Sequence, residues 1–293
     1  MKRFFARLSV NLVRACGKLS PQGRDRLATV LAQIGWVVMA RRRQVTLRNL
    51  ELCLPELDES SRRAIAKSLY QRLARSILDH GVLWSADKET IQRYVQFEGL
   101  EHLLNNPEHQ ATILVSPHFV GLDAAGIALN TYVRGVSLYQ KQSILEWDQA
   151  FFEGRKRFSD PILIAKSPES DLRPVIRAMK EGLPFYYLPD MDHGEKNSIF
   201  LPFFGVTAAT LPMVSRLARV TKARVLWCIA TMTETGYRVI ISQPWDNFPT
   251  ADYTADTLRI NQELETWVRA YPDQYFWVHR RFKTRPQGEP SVY

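Results

Sequence analysis

The residue types best suited to acid–base chemistry are His118 and Asp123, which follow an apolar run at Thr112–Val115. The run predicts a buried strand that ends at Pro117, and the composition of residues 119–130 predicts a helix. Because helical residues advance by about 100° each, two side chains five positions apart in one helix lie on different faces. The pair therefore meets only if His118 lies in the loop before the helix, as this order of elements predicts.

A His held by a carboxylate through one ring nitrogen is fixed in one tautomer and is a stronger base at the other nitrogen. Such a base can take the proton from a hydroxyl group that attacks an acyl carbon. Two fixed residues make a short pattern, however, and the alternative is that His118 caps the helix or bonds a backbone carbonyl. The pattern alone leaves both interpretations open.

The elements that would position these residues change in type along the chain. The first hundred residues are predicted to be mostly helical, with an amphipathic helix at 60–84. Beyond them, short β-rich runs alternate with helical segments. The predicted strands are 112–115, 136–139, 162–165, 185–188, 224–231 and 237–242, and the later predicted helices include 171–181, 210–220 and 254–271. This alternation predicts an α/β fold with a mixed, largely parallel sheet flanked by helices, and an active site at the carboxyl ends of the strands.

The composition is that of an ordinary folded protein. The 293 residues are 45% hydrophobic and 24% charged, and the chain is long enough to bury a sizeable core. No low-complexity linker or repeat divides it, so we predict one α/β domain at residues 51–293, preceded by a distinct region at 1–50. The three cysteines lie far apart without a C-x-x-C pair, and the six histidines lack metal-ligand spacing. The sequence therefore predicts no disulfide framework, no metal and no cofactor.

The net charge of +9 is concentrated in residues 1–50, which hold eleven basic residues and one acidic residue, Asp25. Apolar residues recur at helical spacing between the first of these charges: Phe4, Phe5, Leu8, Leu12, Ala15 and Leu19. This pattern is typical of a basic amphipathic helix on an anionic lipid surface, where each Lys or Arg contributes about 1 kcal/mol. The alternative is a helix packed on the rest of the protein. No nucleic-acid-binding signature accompanies the charge.

The longest uncharged stretch near the start, residues 27–40, is shorter than the roughly 20 apolar residues needed to cross a bilayer. Charge interrupts the first 26 residues too often for a signal peptide. We therefore predict a protein docked on the cytoplasmic side of a membrane, through an amphipathic helix or a shallowly inserted helical hairpin.

Five further stretches, in order along the chain, are characteristic in sequence. They are Arg41–Leu50 (RRRQVTLRNL), Gly154-Arg155, Leu188–Gly194 (LPDMDHG), Phe200–Gly205 (FLPFFG) and Tyr275–Pro286 (YFWVHRRFKTRP). Together with the His/Asp pattern, they resemble the late acyltransferases of lipid A biosynthesis, the lauroyltransferase-like family. The resemblance extends from about residue 41 to residue 293.

The resemblance implies a membrane-associated acyltransferase. It implies that acyl carrier protein donates a fatty acyl group to the free hydroxyl of a 3-hydroxyacyl chain on a lipid A precursor of the Kdo-lipid IVA type, at the cytoplasmic face of the inner membrane. His118 would be the general base, Asp123 would orient it, and Arg155 would stabilise negative charge or hold a phosphate. The implied partners are acyl carrier protein, the lipid A precursor and the anionic membrane surface. Two alternatives remain: another acceptor, such as a glycerophospholipid or an aminolipid, and an inactive relative that binds lipids.

The same stretches supply residues that the resemblance places at the substrate. They are Asp190 and Asp192 in a turn lining the site, Phe203 and Phe204 along an acyl channel, and Arg280, Arg281 and Lys283 at the anionic head group or the carrier protein. The alternatives are a solvated turn, core aromatic residues and the end of a strand. Two positions depart from many family members: Asp123, where Glu is common, and Gln140, where some members have Arg. The shorter carboxylate can still orient a His, whereas the change at 140 bears on a phosphate contact.

Overall fold

The structure, a computed structural model, describes residues 2–166 and 171–293. It begins with five helices: α1 (Lys2–Cys16), α2 (Pro21–Val38), α3 (Ala40–Cys53), α4 (Glu59–Leu83) and α5 (Lys88–Tyr94). Strands and helices then alternate: β1 (Val95–Glu98), α6 (Leu100–Leu104), β2 (Thr112–Val115), α7 (Leu122–Leu129), β3 (Val136–Tyr139), α8 (Leu145–Arg155), β4 (Ile162–Ala165), α9 (Arg173–Lys180), β5 (Phe185–Tyr187), β6 (Ile199–Phe203), β7 (Val206–Thr210), α10 (Met213–Thr221), β8 (Arg224–Met232), β9 (Tyr237–Ile241) and α11 (Tyr253–Ala270). The predicted change from helices alone to alternating strands and helices is confirmed.

Seven strands form one sheet in the order β1-β9-β8-β2-β5-β3-β4. The β8–β9 pair is antiparallel and the other described pairs of this sheet are parallel. The predicted fold class, a mixed and largely parallel sheet flanked by helices, is therefore confirmed. The six predicted strands agree with the observed bounds to within one residue at each end.

Two strand features escaped prediction. β1 has four residues, too few to separate its alternating pattern from the end of the preceding helix. β6 and β7 form an antiparallel hairpin, and no strand was predicted at residues 199–210. Pro202 lies within β6, and Pro argues against a strand except at a sheet edge. The hairpin turns at Phe204 and Gly205, whose φ angles of 52° and 72° match a two-residue turn of left-handed residues.

The core lies on both faces of the sheet. On β2, Ile113 and Val115 pack with α9, α10 and α11, whereas Leu114 packs with α7 on the other face. On β8, Trp227 and Leu226 divide between the two faces in the same way. Successive strand residues point to opposite faces, and burial of both faces explains why these strands are continuous apolar runs.

The loop after β2, residues 116–121, is fixed by the segment that follows α11. Val120 donates its backbone N–H to Gln274 O at 2.9 Å, and Phe276 donates its own to His118 O at 2.9 Å. Residues 279–283 then continue through turns, so the basic residues there do not end a strand. The C-terminal segment thus holds the backbone of the loop that carries His118.

Helix α1 has two apolar faces. One face packs on α4 and α8 and buries Ala6, Val10 and Val13. The other face is exposed and carries Phe4, Phe5, Leu8 and Leu12. None of the described helices is long and apolar enough to cross a membrane.

A buried charge network fastens α2 to the rest of the protein. Arg24 donates to Asp79 Oδ1 at 2.6 Å, and Arg75 donates to the same oxygen at 2.8 Å. The hydroxyl of Tyr237 donates to Asp79 Oδ2 at 2.9 Å, which adds β9 to the network. Both arginines and Asp79 are almost fully buried, so removing one partner would leave an uncompensated buried charge.

Candidate active site

A cleft of about 1040 Å³ opens at the carboxyl ends of β2, β3 and β5, beside α7 and α8. His118 follows β2, Asp123 lies in the first turn of α7, and Arg155 is the last residue of α8. All three side chains predicted to be catalytic line this cleft. The site therefore lies at the carboxyl edge of the sheet, as expected for parallel strands, and combines the β2–α7 region with the end of α8.

The carboxylate that holds His118 is Asp190 rather than Asp123, which corrects the expected pairing. His118 Nδ1 lies 2.7 Å from Asp190 Oδ1, and the His118 backbone N–H donates to Asp190 Oδ2 at 3.0 Å. The physical reason is sheet order: β5 lies directly beside β2, so the residues that follow these two strands meet. Asp123 instead faces side chains of α4 and α8.

Asp190 fixes the tautomer of His118. Burial alone would raise the Asp190 pKa, but the charge of His118 and its two hydrogen bonds outweigh burial and lower the pKa to about 2. An ionised carboxylate only accepts hydrogen bonds, so His118 Nδ1 carries the proton. Nε2 is then the basic nitrogen of a ring that lines the cleft.

Asp123 is bound by two other basic side chains. Arg155 donates from Nε to Oδ1 at 2.8 Å and from Nη2 to Oδ2 at 3.0 Å, while His80 Nε2 lies 3.1 Å from Oδ2. Burial raises the Asp123 pKa, but the Arg155 charge and the His80 hydrogen bond outweigh it, so this pKa lies well below its usual range. Asp123 is thus an ionised anchor that orients Arg155.

His80 is a site residue that sequence reasoning missed. It lies in α4, 43 positions before Asp123, and is buried against the rings of Trp84 and Phe151 at centroid distances of 5.0 Å. A single His within an amphipathic helix has no spacing that connects it to a distant carboxylate. The local sequence therefore contained no signal that would have identified it.

Asp192 lines the cleft and also anchors the C-terminal segment. Its Oδ1 accepts from the Gly194 N–H at 2.9 Å and the Thr284 hydroxyl at 2.8 Å, and its Oδ2 accepts the Thr284 N–H at 2.8 Å. Lys283 lines the same cleft, with its Nζ 4.0 Å from Asp192 Oδ1. The two carboxylates of the turn are therefore buried and hydrogen-bonded rather than solvated, whereas His193 of the same turn is exposed.

Arg281 occupies a structural position rather than the predicted substrate-binding one. It is 3% exposed and donates to Ala209 O and to the Thr210 hydroxyl, each at 2.8 Å. These contacts tie the C-terminal segment to β7. A guanidinium already used in this way is not presented to a head group.

The other predicted residues of this group also lie outside the cleft lining. Phe203 is fully buried near Tyr275 and Phe282, because it alternates inward on β6. Phe204 is half-buried beside Trp277, and Arg280 stacks over the ring of Tyr293. The predicted acyl channel at the two phenylalanines is corrected to core packing.

Further basic side chains line the cleft, and sequence reasoning did not single them out. They are Lys166, His193, Lys196 and His279. His193 is exposed on one side, and its partial burial together with nearby Lys166 and Lys283 lowers its pKa. Burial also lowers the pKa of His279 to about 4, against the opposing charge of Asp190. Both rings are therefore neutral near pH 7, and the positive charge of the cleft comes from its Lys and Arg side chains.

One lobe of the cleft is apolar. It lies between α7 and the strands β3 and β4, where the lining includes Leu122, Gly126, Leu129, Val133 and Leu163. A Cβ added at Gly126 would meet Tyr186 Cε1 at 3.9 Å, an ordinary van der Waals distance. The lobe therefore offers apolar walls and free space to a hydrocarbon chain.

Comparison with known proteins identifies the family of this chain. The family model described as "Bacterial lipid A biosynthesis acyltransferase" matches residues 2–284. The chain is 31% identical over 274 residues to the Escherichia coli (strain K12) lipid A biosynthesis lauroyltransferase, covering 92% of this chain and 88% of that protein. It is 32% identical over 271 residues to a Haemophilus influenzae lipid A biosynthesis acyltransferase, covering 88% and 85%. It is 30% identical over 275 residues to the E. coli palmitoleoyltransferase, covering 91% and 87%.

A solved structure is also similar, at a level that does not by itself establish a common fold. This is the 1-acyl-sn-glycerophosphate acyltransferase PlsC from Thermotoga maritima, with a TM-score of 0.37 and 13% identity over 84% of this chain and 98% of that one. The sequence match, by contrast, covers the cleft and every element that positions it. The chain therefore belongs to the bacterial lipid A biosynthesis acyltransferase family.

Proposed function

We propose that this protein transfers a fatty acyl group from acyl carrier protein to the hydroxyl of a 3-hydroxyacyl chain on a lipid A precursor of the Kdo-lipid IVA type, with His118 as the general base. One observation carries the proposal. Buried Asp190 holds Nδ1 of His118 at 2.7 Å, which leaves Nε2 as the basic nitrogen in a cleft with an apolar lobe. Family membership supports the reaction class.

In the proposed reaction, His118 Nε2 takes the proton of the acceptor hydroxyl while the hydroxyl oxygen attacks the thioester carbonyl carbon. A C–O bond forms and the carbonyl oxygen becomes an oxyanion. When the C–S bond breaks, the imidazolium returns its proton to the leaving thiolate. The products are the acyloxyacyl ester and the free carrier thiol, and no acyl-enzyme forms because the acceptor supplies the nucleophile.

Charged groups of the cleft support the same chemistry. Asp123 engages Nε and Nη2 of Arg155, so Nη1 is the part of the guanidinium that can stabilise the oxyanion or a phosphate. Lys166, Lys196 and Lys283 give the cleft the charge that suits a phosphorylated glycolipid or an acidic carrier protein. The apolar lobe would take the acyl chain.

The proposed location is the cytoplasmic face of the inner membrane. In this proposal residues 1–50 form the docking region and residues 51–293 the catalytic domain. The exposed apolar face of α1 and a second exposed apolar set on α2, which includes Val30, Ile34, Val37 and Val38, support docking on lipid. The basic residues of this region suit an anionic surface.

The test is mass spectrometry of products from purified protein, a Kdo-bearing tetra-acylated lipid A precursor, and lauroyl-, myristoyl- or palmitoleoyl-carrier protein. We expect a mass gain of one acyl group, and a loss of about a hundredfold or more in rate for His118→Ala. His102→Ala is the matched control, because His102 does not line the cleft. An unchanged rate in His118→Ala would reject the general base, and no gain with any donor would reject this donor–acceptor pair in favour of another lipid acceptor or a binding protein.

A further inference from the structure

His80 lies between two hydrogen-bond acceptors. Its Nδ1 is 2.7 Å from Ser76 O, one turn earlier in α4, and its Nε2 is 3.1 Å from Asp123 Oδ2. The ring is 6% exposed and is enclosed by Trp84 and Phe151. The side chain is thus oriented from both sides and reaches the cleft only through Asp123.

The two contacts determine the protonation of His80. A carbonyl oxygen cannot donate, so Nδ1 carries a proton. Both oxygens of Asp123 accept from Arg155, as an ionised carboxylate does, so Nε2 must also donate. Both contacts are hydrogen bonds only when the ring is an imidazolium.

The resulting trio has one anion between two cations. Arg155 extends from α8, Asp123 from α7 and His80 from α4, so three helices meet at one carboxylate. The side chain of Asp123 is a quarter exposed, so packing alone does not fix the rotation of its carboxylate. A second, buried donor restricts that rotation and leaves the trio with a net positive charge facing the cleft.

We propose that His80 is a positioning residue that, as an imidazolium, locks the Asp123 carboxylate so that Arg155 presents Nη1 to the reacting group. His80 does not touch substrate and acts through Asp123. The kinetic consequence of this inference rests on the proposed function, whereas the protonation of His80 does not.

The first test is ¹⁵N NMR of the histidine rings at neutral pH, with His80→Gln used to assign the signal. We expect both ring nitrogens of His80 to have imidazolium chemical shifts, and Asp123→Asn to abolish them. A neutral ring in the wild-type protein would overturn the inference, whatever the enzymatic activity. This test remains decisive if the protein proves to use a different acceptor.

The second test is steady-state kinetics of His80→Leu, Asp123→Asn and the double variant. We expect His80→Leu to lower kcat by about tenfold to a hundredfold with little change in KM, the range for losing a hydrogen bond to a charged group. His80→Gln, which can keep one N–H donor toward Asp123, should retain more of the rate. The double variant should be no slower than Asp123→Asn alone, because His80 acts through Asp123.

The matched control is His102→Leu. His102 also places Nδ1 against a backbone carbonyl, Ile241 O at 2.9 Å, but it lies outside the cleft lining. It should keep the wild-type kcat. Wild-type kcat in His80→Leu, or additive losses in the double variant, would overturn the positioning role. If the wild-type protein shows no transfer at all, the proposed function fails and the NMR result alone decides the role of His80.

Discussion

Asp190 determines which nitrogen of His118 is basic, and its effect should be separable from that of substrate binding. The carboxylate holds both the ring and the backbone of His118, at 2.7 and 3.0 Å, from a position that is 2% exposed. A neutral amide of the same shape can keep one of these bonds, but its N–H₂ can donate to Nδ1 and so favour the wrong tautomer. The basic nitrogen would then no longer face the cleft.

We expect Asp190→Asn to lower kcat by roughly a hundredfold or more, with a small change in KM, because the base loses its orientation while the cleft keeps its shape. Initial rates over a range of acceptor concentrations measure this split. Asp171→Asn, an exposed carboxylate paired with Arg173, serves as the control and should be unaffected. A rise in KM at constant kcat would instead make Asp190 a binding residue.

His279 gives the folded protein a measurable dependence on pH. Its Nε2 accepts the Asp192 N–H at 3.1 Å, and burial lowers its pKa to about 4 from the usual 6.5. Between these values the unfolded chain binds a proton that the folded protein does not. The contribution of His279 to the free energy of unfolding should therefore fall as the pH decreases from about 6.5 to 4, and this contribution should change no further below pH 4.

Urea unfolding at several pH values between 7 and 4 tests this expectation, with His279→Gln for comparison. Glutamine can accept the same N–H but does not titrate, so its curve of unfolding free energy against pH should be flatter than that of the wild-type protein. Parallel curves for the two proteins would show that His279 is not responsible.

At the residue scale, the hydrogen-bonded pairs of the active site show which of its contacts could be predicted from the sequence. His118 and Asp123 were identified because both follow the same strand closely, and a short sequence pattern is enough to indicate this. Their partners lie 72 positions later and 43 positions earlier in the chain. Those contacts depend on β5 lying beside β2 and on α4 packing against α7, which no local spacing encodes.

At the scale of secondary-structure elements, the contact between α1 and α4 lies next to His80, the proposed positioning residue. The two helices approach so closely that a Cβ on Gly81 would lie 2.2 Å from Val13 O and 2.5 Å from Gly17 N. Gly81 directly follows His80, so α1 is seated against the turn that reaches Asp123. Displacing α1 should therefore disturb both the N-terminal region and the site.

We expect Gly81→Ala to destabilise the protein by about 1 kcal/mol or more and to increase amide hydrogen exchange in α1. The added methyl group would clash with backbone atoms of the facing segment, which cannot move away without shifting α1. Gly35→Ala is the matched control. Its Cβ would contact Met39 Sδ and Tyr70 Cδ1 at 3.9 Å, so the gain in helix propensity should stabilise by up to about 1 kcal/mol. Equal effects of the two substitutions would contradict the close crossing.

The elements themselves were largely predictable, since helical and strand periodicities are local. The central strands appear in the sequence as apolar runs because they are buried on both faces. The β6–β7 hairpin was not predicted, because Pro202 and the adjacent aromatic residues resemble a loop until pairing with β7 is known. Its formation also explains why Phe203 belongs to the core.

At the scale of the whole molecule, helix α8 borders both the cleft and helix α1, which carries an exposed apolar face. α8 contributes Arg155 to the cleft and packs against α1, and Trp147 of α8 donates to the Ser9 hydroxyl at 3.1 Å. Ile144 and Leu145, at the start of α8, are about half exposed. A lipid surface that met α1 would therefore lie close to the cleft mouth, where a membrane-embedded acceptor could enter.

In the proposed docking, the charge of α1 would contribute less than its sequence suggests. Arg7 lies 3.9 Å from Glu146 and Arg14 lies 3.7 Å from Glu153, so two of its arginines face carboxylates of α8. Such partly exposed pairs are weak, but they reduce the charge available to lipid. Deleting residues 1–26 would also remove Arg24 and leave buried Asp79 with fewer partners, so surface substitutions test docking more cleanly than truncation.

We expect the double substitution Phe4→Ser and Phe5→Ser to weaken binding to anionic vesicles by about tenfold or more, because two side chains that are 67% and 62% exposed would lose their transfer into lipid. Vesicle sedimentation at low and high salt measures the effect, and salt should weaken both proteins through the shared basic residues. Val220→Ser, at a 62% exposed position on α10, controls for loss of an exposed apolar side chain elsewhere and should bind as the wild-type protein does. Unchanged binding of the Phe4/Phe5 variant would mean that lipid meets another surface, and α1 would then serve only to support α4 and α8 beside the site.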